Sequence, residues 1–250
     1  MKQHNKLKLI ILPFLVLMTS FTSPNKVKIY LIGDSTIAIK EANKYPETGW
    51  GVPFSLFFSE SAEVDNRAKN GRSTKSFITE KRWDSVLDSL KANDYVLIQF
   101  GHNDEVHTKK SATTPEEFVE NLTKYVKETK SKNAFPILIT PVARRKFDEQ
   151  GKVIDTHKEY AELVRVTAKK LNVPLIDLSE KSMKLLQEFG EDKSKLLFLH
   201  LEENQNVNYP KGVKDDTHFS DLGARYMAEI VMNELKKIQS PLANYSIGSK

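Results

Sequence analysis

The chain has 250 residues, 39% hydrophobic and 28% charged, with 38 Lys and Arg against 33 Asp and Glu and no cysteine. That length and apolar content suit one buried α/β domain, and the missing cysteines exclude a disulfide framework, a thiolate metal site, a cysteine nucleophile and a lipid-modified cysteine anchor. No dense basic block with interleaved aromatics occurs, so the sequence gives no support for nucleic acid as a partner.

Residues 1 to 23 come first in the chain and read as an export signal. Lys2, Lys6 and Lys8 precede the apolar run "LIILPFLVLM", and the small polar stretch "TSFTSP" offers cleavage near Ser20 or Ser23. The run is about half of the ~20 apolar residues a membrane span needs. Without these residues, which carry three lysines and no acid, the formal charge falls from +5 to +2. The expected mature protein is therefore one domain over residues 24 to 250 with no membrane anchor, exported to a periplasm or to the outside.

Apolar runs then recur at 27–32 "VKIYLI", 62–66 "AEVDN", 95–100 "YVLIQF", 135–140 "FPILIT" and 173–178 "VPLIDL". Such runs are the pattern of buried parallel strands. Between them, "TPEEFVENLTKYVKETKSK" starts with a capping Thr and a first-turn Pro and puts Phe118, Leu122, Tyr125 and Val126 on one face, as an amphipathic helix does. "THKEYAELVRVTAKKL" repeats that pattern. So does "SDLGARYMAEIVMNELKKI", with Leu222, Met227, Ile230, Val231 and Leu235 expected inward. Alternating strands and helices predict a doubly wound α/β sheet of about five strands. The stretch "ARRKFDEQGKVIDTHK", with a turn signal at Gln150 and Gly151, predicts a protruding hairpin-like excursion.

In an open parallel sheet, ligands bind beyond the carboxyl ends of the strands. Gly33, Asp34 and Ser35 follow the first strand, "AKNGRST" the second and "GHND" the third, so all three loops can meet at one edge. Ser35 alone reads equally as a strand-end hydroxyl. It becomes a candidate nucleophile only with a base and an orienting acid, and "DDTHFSDLGA" offers both. There His218 can project into the cleft before a helix start, and Asp215, three residues earlier, can reach its far nitrogen. The bland alternative makes Asp215 and Asp216 ordinary loop acids. Gly71 could supply a backbone N–H and Asn103 an amide N–H where negative charge develops on a carbonyl oxygen. Each is also an ordinary turn former, and Asp34 and Asp104 read as turn acids that bond their own loops.

"GDS" at 33–35, "NGRS" at 70–73, "GHND" at 101–104 and "DDTH" at 215–218, in that order, resemble the blocks of the SGNH hydrolases, also called the GDSL family. The resemblance implies a flavodoxin-like three-layer α/β/α fold with a central parallel sheet, and ester hydrolysis that needs neither metal nor cofactor. Ser35, Asp215 and His218 take the places of the catalytic triad. The backbone N–H groups of Ser35 and Gly71 and the side chain of Asn103 take those of the oxyanion hole. Thr36 stands where the name-giving motif has Leu, a position with no part in the mechanism. "TGWG", "GRSTKSF", "FGHND" and "TPVARRKFDEQGKVIDTH" resemble the rhamnogalacturonan acetylesterase branch. That implies an acetylated acidic polysaccharide or oligosaccharide as partner. Arg72, Lys75, Arg144 and Arg145 are candidates to hold its carboxylates, and Trp50 to stack on a sugar ring or to be buried ahead of "VPFSLFF".

Three rivals remain at this point. Acetylated xylan or another glycan could be the substrate on the same scaffold. His102, Asp104, His107, Asp215 and His218 are metal-binding types, although they match no tight helical ligand pair. A sheet edge with Trp50 and arginines would also suit a non-catalytic sugar-binding protein.

Overall fold

The computed structural model describes residues 26–248; the expected signal at 1 to 23 lies outside them. Each of the five apolar runs contains a strand of one parallel sheet: β1 (Val27–Gly33), β2 (Ala62–Asn66), β3 (Tyr95–Gln99), β4 (Phe135–Ile139) and β5 (Leu175–Ile176), in the order β2-β1-β3-β4-β5. Strand β5 is shorter than its apolar run because Asp177 already turns into the next helix, where its carboxylate accepts from Glu180 N–H. Helices α1 (Gly51–Phe54), α2 (Thr74–Thr79), α3 (Arg82–Ser89), α4 (Pro115–Ser131), α5 (Lys158–Leu171), α6 (Leu178–Ser194) and α7 (Asp221–Lys237) cover the sheet.

Side-chain alternation along the strands divides the core into two layers. Ile29, Leu31, Leu97, Ile137 and Ile139 pack on the face shared with α1, α6 and α7. Tyr30, Ile32, Val96, Ile98 and Leu138 pack on the other, with α2 to α5. The result is an α/β/α sandwich, and each fully buried aliphatic chain in it contributes roughly 1.5–3 kcal/mol. Helix α4 begins at the predicted cap, where Thr114 accepts from Glu117 N–H and Glu117 returns a bond to Thr114 N–H; Phe118, Leu122, Tyr125 and Val126 are buried as expected. In α7 the buried stripe is Ala224, Met227, Ala228, Val231 and Leu235. Leu222 is 43% exposed, against expectation. Gly223 sets that rotation: it rides on the Leu197 carbonyl, and a Cβ there would come within 1.8 Å of the oxygen.

The excursion at 144–157 is a small hairpin closed by the Phe147 and Val153 bridge, with Gly151 N–H turning back to Asp148 O. The sequence reading names no helix at α1, α2, α3 or α6, and it lacks a second sheet altogether. Strands β6 (Phe198–Leu201) and β7 (Val213–Phe219) form an antiparallel ribbon beside the main sheet. It is docked by Thr48 N–H on Phe219 O and by Arg145 N–H on Asp216 O. Among the described residues no helix is long and apolar enough to cross a membrane.

Candidate active site

The register places the strand ends side by side, with Leu31 opposite Asn66 and Gly33 opposite Gln99, so the loops after β1, β2 and β3 leave the sheet at one edge. Ser35 sits in the first of these. Its loop is tied down by Asp34, whose Oδ1 accepts from both the N–H and the hydroxyl of Thr36. Thr36 Oγ1 in turn accepts from Gln99 Nε2, and Gln99 Oε1 accepts from Trp50 Nε1 at 2.9 Å. Trp50 therefore anchors this loop from inside the core. It is 0% exposed, which removes it as a sugar-stacking platform.

The opposing side of the site comes from the ribbon. From Leu199 to Phe198 the partner on β7 jumps from Asp215 to Phe219, so residues 216 to 218 have no counterpart. A bulge of this kind re-aims side chains. Asp215 Oδ1 accepts from the N–H groups of Thr217 and His218, and its Oδ2 lies 2.7 Å from His218 Nδ1. His218 Nε2 is then 2.9 Å from Ser35 Oγ. Burial works to raise the Asp215 pKa, but the hydrogen bond and charge of His218 and the two backbone donors outweigh it and hold the carboxyl at about 2. Asp216 points elsewhere, to His200 and to Arg145. A permanently ionised carboxylate fixes the imidazole with Nδ1–H facing it. That leaves Nε2 to take a proton from Ser35 Oγ.

Beside this chain of contacts lies a cavity of about 460 Å³, whose wall includes Ser35, Gly71, Asn103, Asp215 and His218. Gly71 has φ of +75° with open space where a Cβ would stand, a conformation that favours glycine. Asn103 donates one amide hydrogen to Arg72 O and accepts from Lys109 Nζ on its oxygen. These two bonds fix which end of the amide is which and leave its second N–H unspent. Asp104 turns away from the cavity. Its Oδ1 accepts from Thr74 N–H and Thr74 Oγ; burial raises its pKa to about 7 against those bonds. His102 forms part of the wall and bonds Val142 O through Nε2. Burial first, then His157 and Arg144, hold its pKa well below the ordinary range.

The predicted substrate cations fare unequally. Arg144 reaches the cavity, where it bonds Thr217 Oγ1 and lies 3.4 Å from Glu105. Arg145 does not: it is buried against Asp216, Ser194 and the Glu191 carbonyl. Arg72 is turned to Glu80 and Asn70 O, and Lys75 to Glu117, so neither side chain lines the cavity. Lys44 and Lys109, which the sequence reading passed over, do line it. Among the described residues no three His, Asp or Glu side chains form a group that could hold a metal ion.

A sequence model of the GDSL-like lipase/acylhydrolase family matches residues 29–231. The chain is 38% identical over 222 residues to rhamnogalacturonan acetylesterase RhgT of Bacillus subtilis strain 168, covering 88% of this chain and 94% of that one. It is 36% identical to the probable rhamnogalacturonan acetylesterase YesY of the same organism, covering 86% and 94%. Among solved structures, Bacillus subtilis YxiM superposes with a TM-score of 0.74 at 24% identity, over 87% of this chain and 58% of that one. The acetylxylan esterase Axe2 of Geobacillus stearothermophilus gives 0.58 at 17%, over 85% and 95%; both show the shared fold. The chain belongs to the GDSL-like lipase/acylhydrolase family, the SGNH hydrolases, and is a carboxylic ester hydrolase.

Proposed function

We propose that this enzyme removes O-acetyl groups from an acetylated acidic polysaccharide, rhamnogalacturonan in pectin, with Ser35, His218 and Asp215 as its triad. The observation that carries the mechanism is the unbroken contact chain Asp215 Oδ2, His218 and Ser35 Oγ at 2.7 and 2.9 Å. Ser35 Oγ bonds to the acetyl carbon while its proton passes to His218 Nε2. The carbonyl pair becomes an oxyanion held by the N–H groups of Ser35 and Gly71 and the free amide hydrogen of Asn103. The C–O bond to the sugar then breaks and the sugar oxygen takes the proton from Nε2. A water gives its proton to the same nitrogen, attacks the acetyl-serine and releases acetate, and Ser35 recovers its hydrogen.

The acidic substrate is supported by the cavity wall, where Lys44, Lys109 and Arg144 lie on the rim of a site that also holds the triad. It is supported too by the likeness to RhgT over nearly the whole of both chains. Cationic groups at these positions suit a galacturonate carboxylate beside the acetylated ring. The test is acetate release from acetylated rhamnogalacturonan, acetylated homogalacturonan and acetylated xylan, with Ser35→Ala as the blank. Selectivity for rhamnogalacturonan is expected. Equal or greater turnover of xylan overturns the substrate and keeps the triad, and turnover by Ser35→Ala overturns the triad.

A further inference from the structure

A buried ion pair takes no part in the steps above: Glu47 is on the wall of the cavity and Lys40 is not. Lys40 is 4% exposed and Glu47 6%, and Nζ lies 2.7 Å from Oε1. The ammonium also donates to the Ser35 carbonyl and to Asn70 Oδ1, the latter at 3.0 Å. Ser35 carries the attacking oxygen and one oxyanion donor, and Asn70 is the neighbour of Gly71, the next donor. A single Nζ therefore spans the two loops whose N–H groups must converge on one oxygen. The peptide after Ser35 is gripped at both ends: its C=O by Lys40 and its N–H by Asp34. On the other side, Glu47 Oε1 stands 4.0 Å from His218 Nε2, the nitrogen that faces Ser35.

We propose that Lys40 and Glu47 are positioning residues that form a fixed dipole set against the charge separation of ester attack. The positive end lies under the loops that bind the oxyanion, and the negative end beside the imidazole that becomes cationic. Attack turns a neutral serine and imidazole into an oxyanion and an imidazolium. A charge pair already aligned with that change is worth most where water is excluded and nothing must reorganise. A structural role alone gives a different expectation, because a buried ion pair can often be replaced by apolar groups of similar volume with little loss of stability. The sequence hides the pair: Lys40 follows Ile37, Ala38 and Ile39 and Glu47 follows a Tyr-Pro, and neither setting names its partner.

The inference rests on the triad proposed above, and the experiment separates the two. The full chain is prepared as Lys40→Met/Glu47→Leu, as Glu47→Gln and as Ser35→Ala, and assayed on 4-nitrophenyl acetate with thermal melting alongside. The double variant is expected to fold with a melting temperature near the parent's, with kcat lowered ~10- to 100-fold and KM within about twofold, as for a loss felt only in the transition state. Glu47→Gln, close to isosteric, is expected to lower kcat several-fold with KM unmoved. A folded double variant with parental kcat overturns the inference while Ser35→Ala stays inactive. If the double variant does not fold, parental kcat in Glu47→Gln, or a loss confined to KM, overturns it alone. Activity in Ser35→Ala overturns the triad itself.

Discussion

His218 Nε2 lies 2.9 Å from Ser35 Oγ although 183 positions separate them in the chain. Ser35 is held by the first turn after β1 and His218 by a bulge in a ribbon outside the main sheet. The contact therefore depends on the docking of that ribbon. In the proposed mechanism proton acceptor and nucleophile act as one unit, so Ser35→Ala and His218→Ala should each lower kcat by about 10⁴-fold or more, and the double variant should be scarcely slower than either. Steady-state kinetics on 4-nitrophenyl acetate checks this. Multiplicative losses would mean that the two residues act in separate steps.

Gly71 makes a sharper case, because its φ of +75° disfavours any side chain while the space around it stays open. Gly71→Ala meets no atom. It carries only the backbone cost of the left-handed region, roughly 1–2 kcal/mol, or a fall of about 2–8 °C in melting temperature for a chain of this size. Should the loop relax to a negative φ, the N–H leaves the cavity, and losing an oxyanion donor costs on the order of 10²-fold in kcat. A variant that is less stable yet turns over at the parental rate would remove Gly71 N–H from the oxyanion hole.

What the sequence made legible, and what it hid, follows from how local each signal is. Strand β3 is buried throughout and apolar up to Gln99, and α4 announces its start through Thr114 and Pro115; both signals are complete within a few residues. The catalytic blocks are legible for the same reason. Strand β7, "VKDDTHF", is polar and half-exposed and is broken by its bulge, so it carries neither alternation nor an apolar run and reads as loop. The fate of a charged side chain is less local still. Arg145 is buried because Asp216, 71 positions away, meets it, whereas adjacent Arg144 turns into the cavity. Trp50 disappears into the core because Gln99 offers its indole N–H an acceptor. None of these partners can be assigned before the fold is known.

Asp104 predicts a pH dependence of stability. Burial raises its pKa from 3.8 to about 7, so the folded protein holds this proton more tightly than the unfolded chain does. Stability therefore falls as pH rises from about 4 to about 7 and levels off above, with a slope of at most about 1.4 kcal/mol per pH unit from this group. Asp215 works in the opposite sense: its stabilisation is complete above the ordinary carboxylate range and is lost as pH falls toward about 2. Between pH 5 and 8 Asp215 is ionised throughout, while buried His102, whose pKa is held well below 6.5, adds a slope of opposite sign in the lower part of that range, so the difference between parent and Asp104→Asn in urea unfolding isolates the first effect. Asp104→Asn, which keeps the Oδ1 acceptor for Thr74 and cannot ionise, should flatten the curve. Some slope should remain from Asp34, whose pKa burial also raises. An unchanged slope in Asp104→Asn would mean that its carboxyl ionises freely.

Lys109 Nζ lies 2.8 Å from Asn103 Oδ1 on the cavity wall, so under the proposed function it links the charge of the substrate to the oxyanion hole. Removing the cation should act in two ways that different substrates separate. On neutral 4-nitrophenyl acetate, Lys109→Gln frees the Asn103 amide to reorient and should lower kcat a few-fold, in line with one modest hydrogen bond of about 0.5–1.5 kcal/mol. On an acetylated galacturonate oligosaccharide it should in addition raise KM. An exposed charge pair is worth about 0.2–1 kcal/mol, which corresponds to roughly 1.5- to 5-fold. The extra loss should shrink as salt is raised from 10 to 500 mM, because screening already weakens the parental contact over that range. If the two substrates respond alike at every salt concentration, Lys109 orients Asn103 and takes no part in holding the polysaccharide, and of the three cavity cations only Lys44 and Arg144 then support the acidic-substrate reading.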